Sequence, residues 1–153
     1  MRAVRLMADD LTGALDTAAQ FVPVFGAINT GWSLAGAGDG AFALDTGTRE
    51  RGEDEAAARV AALAPFLAPK PGVLAFFKVD SLLRGHAGAE LAALLAALPF
   101  RHVVIVPAIP FQGRVTRGGR QHIRDAAGWI ATGEDLAGRL AAAGHTIARR
   151  LPA

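Results

Sequence analysis

The sequence predicts an α/β fold of three layers, a Rossmann-like domain in which a mainly parallel sheet carries helices on both faces. Short apolar runs typical of strands alternate along the chain with stretches whose apolar residues recur at helical spacing. Several of the runs end in polar residues just before the next helix. The length of 153 residues, with 52% hydrophobic content, is typical of one globular domain, here residues 1–153, with a substantial core.

The strands are predicted from apolar runs bounded by turn residues. They cover residues 4–8, 27–30, 41–44, 73–78 and 102–106, with a last strand at residues 146–148. The segment between residues 107 and 121 is mostly polar, which predicts a long loop or a hairpin.

Four helices are predicted between or after these strands. The first follows Asp10 as its N-cap, and the second begins near Glu53 in a group of acids that suits a helix N-terminus. The last has Thr132 and Asp135 spaced as a variant capping box and ends at Gly144. The predicted inward-facing residues are Leu11, Ala14, Leu15, Ala18 and Val22, then Val60, Leu63, Ala64 and Leu67, then Leu91, Leu94, Leu95 and Leu98, and finally Leu136 and Leu140.

Composition argues against several classes of function. Cysteine is absent and the four histidines are scattered, so neither a disulfide nor a structural metal site is expected. The arginine-rich stretch from Arg114 to Arg124 has no interleaved aromatic residues, and the net charge is only +2, so we expect a small-anion groove and no nucleic-acid partner. No apolar run is long enough for a membrane span and no signal peptide is visible, which predicts a cytoplasmic protein.

Ligands of open parallel sheets bind beyond the carboxyl ends of the strands, where four polar loops of this chain should meet. The loops are "DDLTG", "DTGTR", "KVDSLLRG" and "PAIPFQGR", after the strands that end near residues 8, 44, 78 and 106. The convergence predicts a polar ligand site on this edge of the sheet.

Several residues of these loops have both a structural and a ligand-binding interpretation. Asp10 is explained by helix capping alone, whereas the adjacent Asp9 needs another role. Lys78 and Asp80 form either a surface pair or one wall of a cleft. The planar fork of Arg84 suits a bidentate contact with a ligand carboxylate, and Gly85 permits close approach.

The remaining candidates have similar alternatives. Ser81 either contacts the ligand or caps its own turn. Asp45 and Arg49 either pair with each other or border the site. Gln112, Gly113 and Arg114 follow two prolines that stiffen their loop, and Arg114 is a second candidate for an anion contact.

Four motifs, in order, resemble those of the four-carbon acid sugar kinases. They are "ADDLTGALD" from Ala8, "DTGTR" from Asp45, "KVDSLLRGHAGAEL" from Lys78 and "VPAIPFQGRVTRGG" from Val106. Members of this family use ATP to phosphorylate the terminal hydroxyl of sugar acids such as threonate and erythronate. The resemblance implies Asp9 and Asp10 as catalytic residues, and it implies a substrate-binding set of Thr12, Asp45, Arg49, Lys78, Asp80, Ser81, Arg84, Gly85, Gln112, Gly113 and Arg114.

The resemblance covers the sugar-acid-binding N-terminal domain, whereas the family's ATP and Mg²⁺ belong to a C-terminal domain that we expect to be absent here. No GxxxxGK[ST] loop is present, and "GAGDG" precedes a strand where a phosphate loop would follow one. Leu82 and His86 stand where the family usually has threonine and asparagine, and the stretch after Gln121 is shortened. We therefore expect one half of a kinase that is inactive alone; a stand-alone binding or regulatory module and a non-catalytic remnant are the alternatives. The expected partners are a sugar acid, a nucleotide domain on another chain and a second copy in a homodimer, with no membrane.

Overall fold

The computed structural model describes residues 2–132 and 135–145 and contains two sheets and four α-helices. The strands are β1 (Ala3–Ala8), β2 (Asn29–Gly31), β3 (Phe42–Asp45), β4 (Val73–Lys78), β5 (Arg114–Arg117), β6 (Arg120–Asp125) and β7 (Gly128–Thr132). The helices are α1 (Leu11–Phe25), α2 (Glu53–Leu63), α3 (Ala87–Ala97) and α4 (Leu136–Ala142). Short 3-10 helices follow α2 at Ala64–Leu67 and precede β5 at Pro110–Gln112.

The main sheet is parallel, with strand order β2-β3-β1-β4. Its central strand β1 is buried along its whole length, and Leu6 pairs with Ala43 on one side and with Phe76 on the other. Because all four strands run in the same direction, their carboxyl ends lie along one edge. The predicted α/β class and parallel sheet are confirmed.

Helices cover both faces of this sheet, as predicted. On one face, Met7 and Leu44 pack with Val60 and Leu94, which come from α2 and α3. On the other face, buried sheet residues pack against Ala14 and Ala18 of α1. A third cluster joins α3 to α4 and contains Leu83, Ala87, Leu91, Leu136 and Leu140.

The inward face of α1 differs from the prediction. Ala14 and Ala18 are buried, but Leu11, Leu15 and Val22 are 39%, 50% and 44% exposed. Small side chains allow the helix to approach the sheet closely, and this places the larger apolar residues on the outside. The spacing predicted the helix and the burial of Ala14 and Ala18 correctly, and the assignment of the three larger residues to the buried face was wrong.

The strand predicted at residues 102–106 is wrong. Within the described residues this segment has no strand partner, and Val103, Val104 and Val106 are 45%, 79% and 68% exposed. A β-branched run has strand propensity, but a strand also needs a neighbouring backbone, which no described residue supplies. Strand β4 therefore forms an edge of the parallel sheet.

The polar segment after this run, predicted as a loop or a hairpin, forms a hairpin of β5 and β6, and β7 extends it to an antiparallel sheet of order β5-β6-β7. Gly118 and Gly119 join the first two strands, and both have positive φ, 58° and 87°, as a tight two-residue hairpin turn requires. Asp135 caps α4 by accepting from Gly138 N at 3.0 Å, whereas Thr132 lies in β7, so the predicted capping box is reduced to its aspartate. The strand predicted at 146–148 lies outside the described residues.

No helix in the described part of the chain combines the length and apolarity needed to cross a membrane.

Candidate functional site

Arg49 joins both acids that follow β1. Its Nε lies 2.7 Å from Asp9 Oδ2 and its Nη2 lies 2.7 Å from Asp9 Oδ1, while its Nη1 donates to Asp10 Oδ2 at 2.9 Å. Asp9 is almost fully buried, with 4% of its side chain exposed, whereas Asp10 is 29% exposed. The hydrogen bond with Asp9 is the largest of several effects that raise the pKa of Arg49. The alternative pairing of Arg49 with Asp45 does not occur.

Backbone hydrogen bonds of the loop after β3 position Arg49. Thr46 N donates to Ala8 O at 2.8 Å, and Thr48 N and Arg49 N both donate to Asp9 O, at 3.0 and 3.2 Å. Asp45 accepts from Gly47 N at 2.7 Å, which stabilises the tight start of this loop. The loop therefore continues the pairing of β3 with β1 beyond the end of both strands.

Asp10 also begins α1, as predicted. Its Oδ1 accepts from Gly13 N at 2.8 Å. A Cβ atom at residue 13 would lie 2.6 Å from that same oxygen, so the capping geometry depends on glycine there. Asp10 therefore has one oxygen on the helix and the other on Arg49.

Asp80 and Arg84 form the second ion pair of the site. Arg84 Nε lies 3.1 Å from Asp80 Oδ2, and Arg84 Nη2 lies 2.8 Å from Asp80 Oδ1. Burial acts to raise the pKa of Asp80, but hydrogen bonds from the side chain and backbone of Arg84 and from Leu82 N outweigh it and lower the pKa to about 2. Arg49 Nη2 is 3.8 Å from Asp80 Oδ1, so Asp80 links both arginines.

The turn after β4 has an unusual backbone. Leu83 has a φ of 57°, in a left-handed region that costs a leucine conformational energy, and its buried side chain packs with α3 and α4. Gly85 has a φ of 77°, and a Cβ there would lie 3.4 Å from Asp9 Oδ2. The turn thus lies directly against the Asp9–Arg49 pair, and a side chain at residue 85 would both strain the backbone and crowd Asp9.

The antiparallel sheet reaches the same turn through Ser81. Arg114 Nη1 donates to Ser81 Oγ, and Gln121 Nε2 donates to Ser81 O at 2.7 Å and to Pro107 O at 3.1 Å. Gln121 is fully buried, and its side-chain oxygen accepts from Thr116 Oγ1 at 2.8 Å. The fold of the second sheet therefore places the Arg114 guanidinium on Ser81, in the turn after β4.

Other predicted residues take no part in these contacts. Lys78 Nζ donates to Val79 O at 2.6 Å and forms no ion pair with Asp80. Thr12 is exposed on the first turn of α1. Gln112 is exposed, and Gly113 takes a left-handed φ of 67° against Arg124, so the structure gives Gly113 a turn-forming role.

The acids open into a cleft of about 160 Å³ lined by Asp9, Asp10, Leu11, Asp45, Gly47, Arg49 and Glu50. A larger depression of about 260 Å³ near Trp32 is lined by Thr30, Gly31, Trp32, Ser33, Ala35 and Phe42, none of which is charged. Carboxylates beside guanidinium groups can accept hydrogen bonds from hydroxyls and attract an anion, so the first cleft suits a hydroxylated acid. The described residues contain no cluster of histidine, cysteine or acidic side chains that could hold a metal ion.

Sequence reasoning did not identify the burial of the polar residues Gln121, Thr46, Thr48 and Glu90 in this region. Gln121 is the side chain that ties the second sheet to the turn after β4, and a polar residue in an apparent loop gave no signal of burial. Glu90 lies on α3 with 2% exposure, and its position one turn beyond the "DSLLRG" turn was the only signal. His86, which departs from the family pattern, contacts Arg51 O through Nε2 at 2.7 Å.

A parallel α/β sheet with a charged cleft beyond its carboxyl edge defines the chain as an α/β domain of the ligand-binding class. The profile of the family described as "Sugar-binding N-terminal domain" matches residues 4–147, and the chain belongs to that family.

Curated relatives of the chain include sugar-acid kinases. It is 34% identical over 119 residues to a D-threonate kinase of Salmonella typhimurium, an alignment that covers 75% of this chain and 28% of the relative. It is 40% identical over 80 residues to a D-erythronate kinase of Heliobacterium modesticaldum, covering 51% of this chain and 18% of the relative. A D-threonate kinase of Bordetella bronchiseptica is 35% identical over 137 residues, an alignment that covers 80% of this chain and 32% of the relative. The chain thus spans about a third or less of these relatives, and the resemblance to the N-terminal domain of this family is confirmed.

Two crystal structures of a protein from Bordetella bronchiseptica are similar to the chain. Both are described as domain-swapped dimers with bound citrate. One has a TM-score of 0.72 and 30% identity, covering 92% of this chain and 40% of the other. The second crystal form has a TM-score of 0.66 and 32% identity, covering 80% of this chain and 33% of the other.

Proposed function

We propose that this chain is the substrate-binding part of an ATP-dependent kinase that phosphorylates four-carbon sugar acids of the threonate and erythronate type. The observation that carries the proposal is the meeting of Asp9, Asp10, Arg49, Asp80 and Arg84 at the carboxyl edge of the sheet. The named activities of the relatives support the choice of reaction, and the citrate bound to the Bordetella protein supports a small carboxylic acid as ligand.

In this proposal the arginines hold the carboxylate and the acids orient the hydroxyls. Arg84 keeps 63% of its side chain exposed, and its bonds to Asp80 use Nε and Nη2, so Nη1 faces no described partner. Arg114, which donates to Ser81 Oγ in the same turn, is the second cation. Asp10 is the more exposed of the two acids and is the better placed to contact a substrate hydroxyl, while Asp9 acts by holding Arg49.

Substrate binding is tested by calorimetry with threonate, erythronate and the matching uncharged alditols. Arg84→Ala should weaken binding of the acids about 10- to 150-fold, the equivalent of about 1.5–3 kcal/mol for hydrogen bonds to a charged group, and should leave the alditols unaffected. Arg101→Ala is the control, because Arg101 is exposed and follows the C-terminus of α3, at the opposite end of that helix from the turn of Arg84. If Arg84→Ala lowers the melting temperature and retains the preference for the acid, Arg84 is structural and the carboxylate must be assigned to Arg114. Absence of binding by the wild type at millimolar acid would contradict the proposed function itself.

Phosphoryl transfer in this proposal needs ATP and Mg²⁺ held by a nucleotide-binding domain opposite the cleft. We expect the 153-residue chain alone, given ATP, Mg²⁺ and threonate, to form no sugar-acid phosphate, and we expect product when a nucleotide-binding domain of this family is added. Turnover by the chain alone would show a nucleotide site within it and would overturn the proposal that a separate domain binds ATP.

We also propose that the chain forms a homodimer through the apolar surface around residues 103–111. Val104, Val106 and Phe111 are 79%, 68% and 88% exposed, and the similar Bordetella protein crystallised as a domain-swapped dimer. Light scattering after gel filtration should give a dimer for the wild type and a smaller species for Phe111→Ser. A wild type that stays monomeric at high protein concentration would contradict the proposal that a second copy of the chain covers this surface.

A further inference from the structure

The cleft beyond β1 and β3 is acidic, and a site for an anionic ligand has to accommodate that charge. Its lining combines one arginine, Arg49, with four acids, Asp9, Asp10, Asp45 and Glu50, which gives a formal charge of −3. All three nitrogens of the Arg49 guanidinium already donate to Asp9 or Asp10. The lining of the cleft therefore repels a carboxylate, because the charge of its arginine is already compensated.

The charges are distributed unevenly along the carboxyl edge of the sheet. The strand order places the loop after β3 on one side of β1 and the turn after β4 on the other. The β3 side contributes Asp45 and Glu50, whereas the β4 side has two arginines, Arg84 and Arg114, for one acid, Asp80. Neighbouring strands lie about 4.8 Å apart, so the ends of β3 and β4 are about 10 Å apart. The site thus has a cationic end at β4 and an acidic end at β3.

The two acids of the β3 end have no cationic partner. Asp45 Oδ1 accepts from Gly47 N at 2.7 Å, and no cationic side chain of the described residues lies within ion-pair distance of Asp45 or Glu50. Arg51 belongs to the same loop, but its Nε donates to Gly47 O and its Nη1 donates to Glu55. Both acids therefore line the cleft with their charges uncompensated.

This polarity determines which group the far end of a bound acid can carry. An acid whose carboxylate contacts Arg84 has its other end directed towards Asp45 and Glu50. A hydroxyl at that end can donate hydrogen bonds to these carboxylates and is favoured. A second carboxylate has no proton to donate, and one like charge at about 4 Å lowers an affinity about fivefold even in a water-like dielectric.

We propose that Asp45 and Glu50 make the site selective for acids with a single carboxylate and exclude diacids, an inference that rests on the proposed function. Both residues act on the end of the ligand opposite to the carboxylate that Arg84 holds. The site then distinguishes its ligands by the charge of the terminal group and not by its size. Glu50 is exposed and lies outside the set of residues that the sequence pointed to.

Threonate and tartrate are the matched ligands for the test, since tartrate of the same configuration has a carboxylate in place of the terminal alcohol. Calorimetry at pH 7 and low salt should give the wild type at least a tenfold preference for threonate. Asp45→Asn and Glu50→Gln should each reduce this preference by up to about fivefold, mainly through tighter binding of tartrate. The asparagine retains an oxygen that can accept from Gly47 N, so the loop keeps its hydrogen bond.

Asp39→Asn is the matched control, because it removes the same charge at a distance from the cleft. Asp39 is exposed and precedes β3, whereas Asp45 ends that strand, so the two aspartates lie towards opposite edges of the sheet. This substitution should leave the preference unchanged. Salt tests the wild type without any variant: at about 1 M salt the Debye length is about 3 Å, and the preference for threonate should shrink.

A wild type that binds both acids equally would overturn this inference and leave the proposed function intact. A preference for threonate that survives both substitutions and high salt would also overturn it, because shape would then set the selectivity. A wild type that binds neither acid would contradict the proposed function, and this inference together with it.

Discussion

Arg49 and Asp9 are 40 residues apart in sequence and form a two-point ion pair, with both N–O distances at 2.7 Å. The guanidinium also reaches Asp10 and approaches Asp80, so a single side chain connects the ends of β1 and β4. Because Asp9 is nearly buried, its charge depends on this contact for compensation. Arg49 is therefore the central cation of the cleft and a substantial contributor to its stability.

Replacing Arg49 by lysine should destabilise the protein even though the charge is kept. A lysine keeps the charge but cannot reproduce the paired fork contact, and the loss of a hydrogen bond to a charged group costs about 1.5–3 kcal/mol. Chemical denaturation of Arg49→Lys measures the loss. Arg51→Lys is the matched control, because the exposed Arg51–Glu55 pair should be worth less than about 1 kcal/mol. Equal, small effects of the two substitutions would mean that the Asp9–Arg49 pair contributes little.

Gly13→Ala should disturb both the start of α1 and the cleft. Alanine is normally the better helix former, but its Cβ would lie 2.6 Å from the Asp10 oxygen that caps the helix. We expect a loss of about 1 kcal/mol, typical of a lost N-cap, and weaker sugar-acid binding from the displaced Asp10. Gly40→Ala serves as control, since an added Cβ there meets no atom within 4 Å and the φ is not positive. A stabilised Gly13→Ala protein would refute the capping role of Asp10.

The lowered pKa of Asp80 predicts that the protein loses stability in acid. Its pKa is lowered from 3.8 to about 2 in the folded protein, so the stability it contributes is present above pH 3.8 and is lost as pH falls through about 2. The contribution is about 2 kcal/mol at neutral pH. Asp80→Asn should therefore be less stable than the wild type at pH 7 and should approach it near pH 2. A difference between the two proteins that does not vary with pH would show that the Asp80 charge is not the stabilising feature.

Gln121→Leu should weaken the attachment of the second sheet to the site. The substitution leaves Ser81 O and Pro107 O without their donor, and each unpaired buried carbonyl costs about 1–3 kcal/mol. Denaturation measures the total, and Gln20→Leu on the exposed side of α1 provides the comparison. Hydrogen exchange should show faster exchange in β5 and β6, whereas slow exchange there together with unchanged stability would argue against a link through Gln121.

The gathering of the charged loops on one edge of the sheet could be predicted from the sequence, but the pairing of their side chains could not. Acids and arginines after successive parallel strands must gather on one edge, and this follows from strand direction alone. Which acid meets which arginine depends on loop paths that spacing does not encode. Arg49 pairs with Asp9 instead of Asp45, and Lys78 binds a backbone carbonyl instead of Asp80.

The strands, too, were predictable from the sequence only in part. Apolar runs predicted β1, β3 and β4 because a buried parallel strand is apolar along its whole length. The run at 102–106 has the same composition and is exposed, since composition reports the preference for burial and cannot report the availability of a partner. The polar segment after it forms a three-stranded sheet because Gly118 and Gly119 permit a tight turn and antiparallel strands need no apolar run.

Local sequence patterns were sufficient to predict the α/β class, the edge of the sheet that carries the charged loops and the resemblance to sugar-acid kinases. These properties follow from local periodicity, strand direction and the residue types within short motifs. The folded structure was needed to identify the Asp9–Arg49 and Asp80–Arg84 pairs, the buried positions of Glu90 and Gln121 and the unpaired segment at 102–106. Hydrogen bonds and ion pairs act over about 3 Å, and the residues that come within that distance of each other are set by the packing of the whole chain.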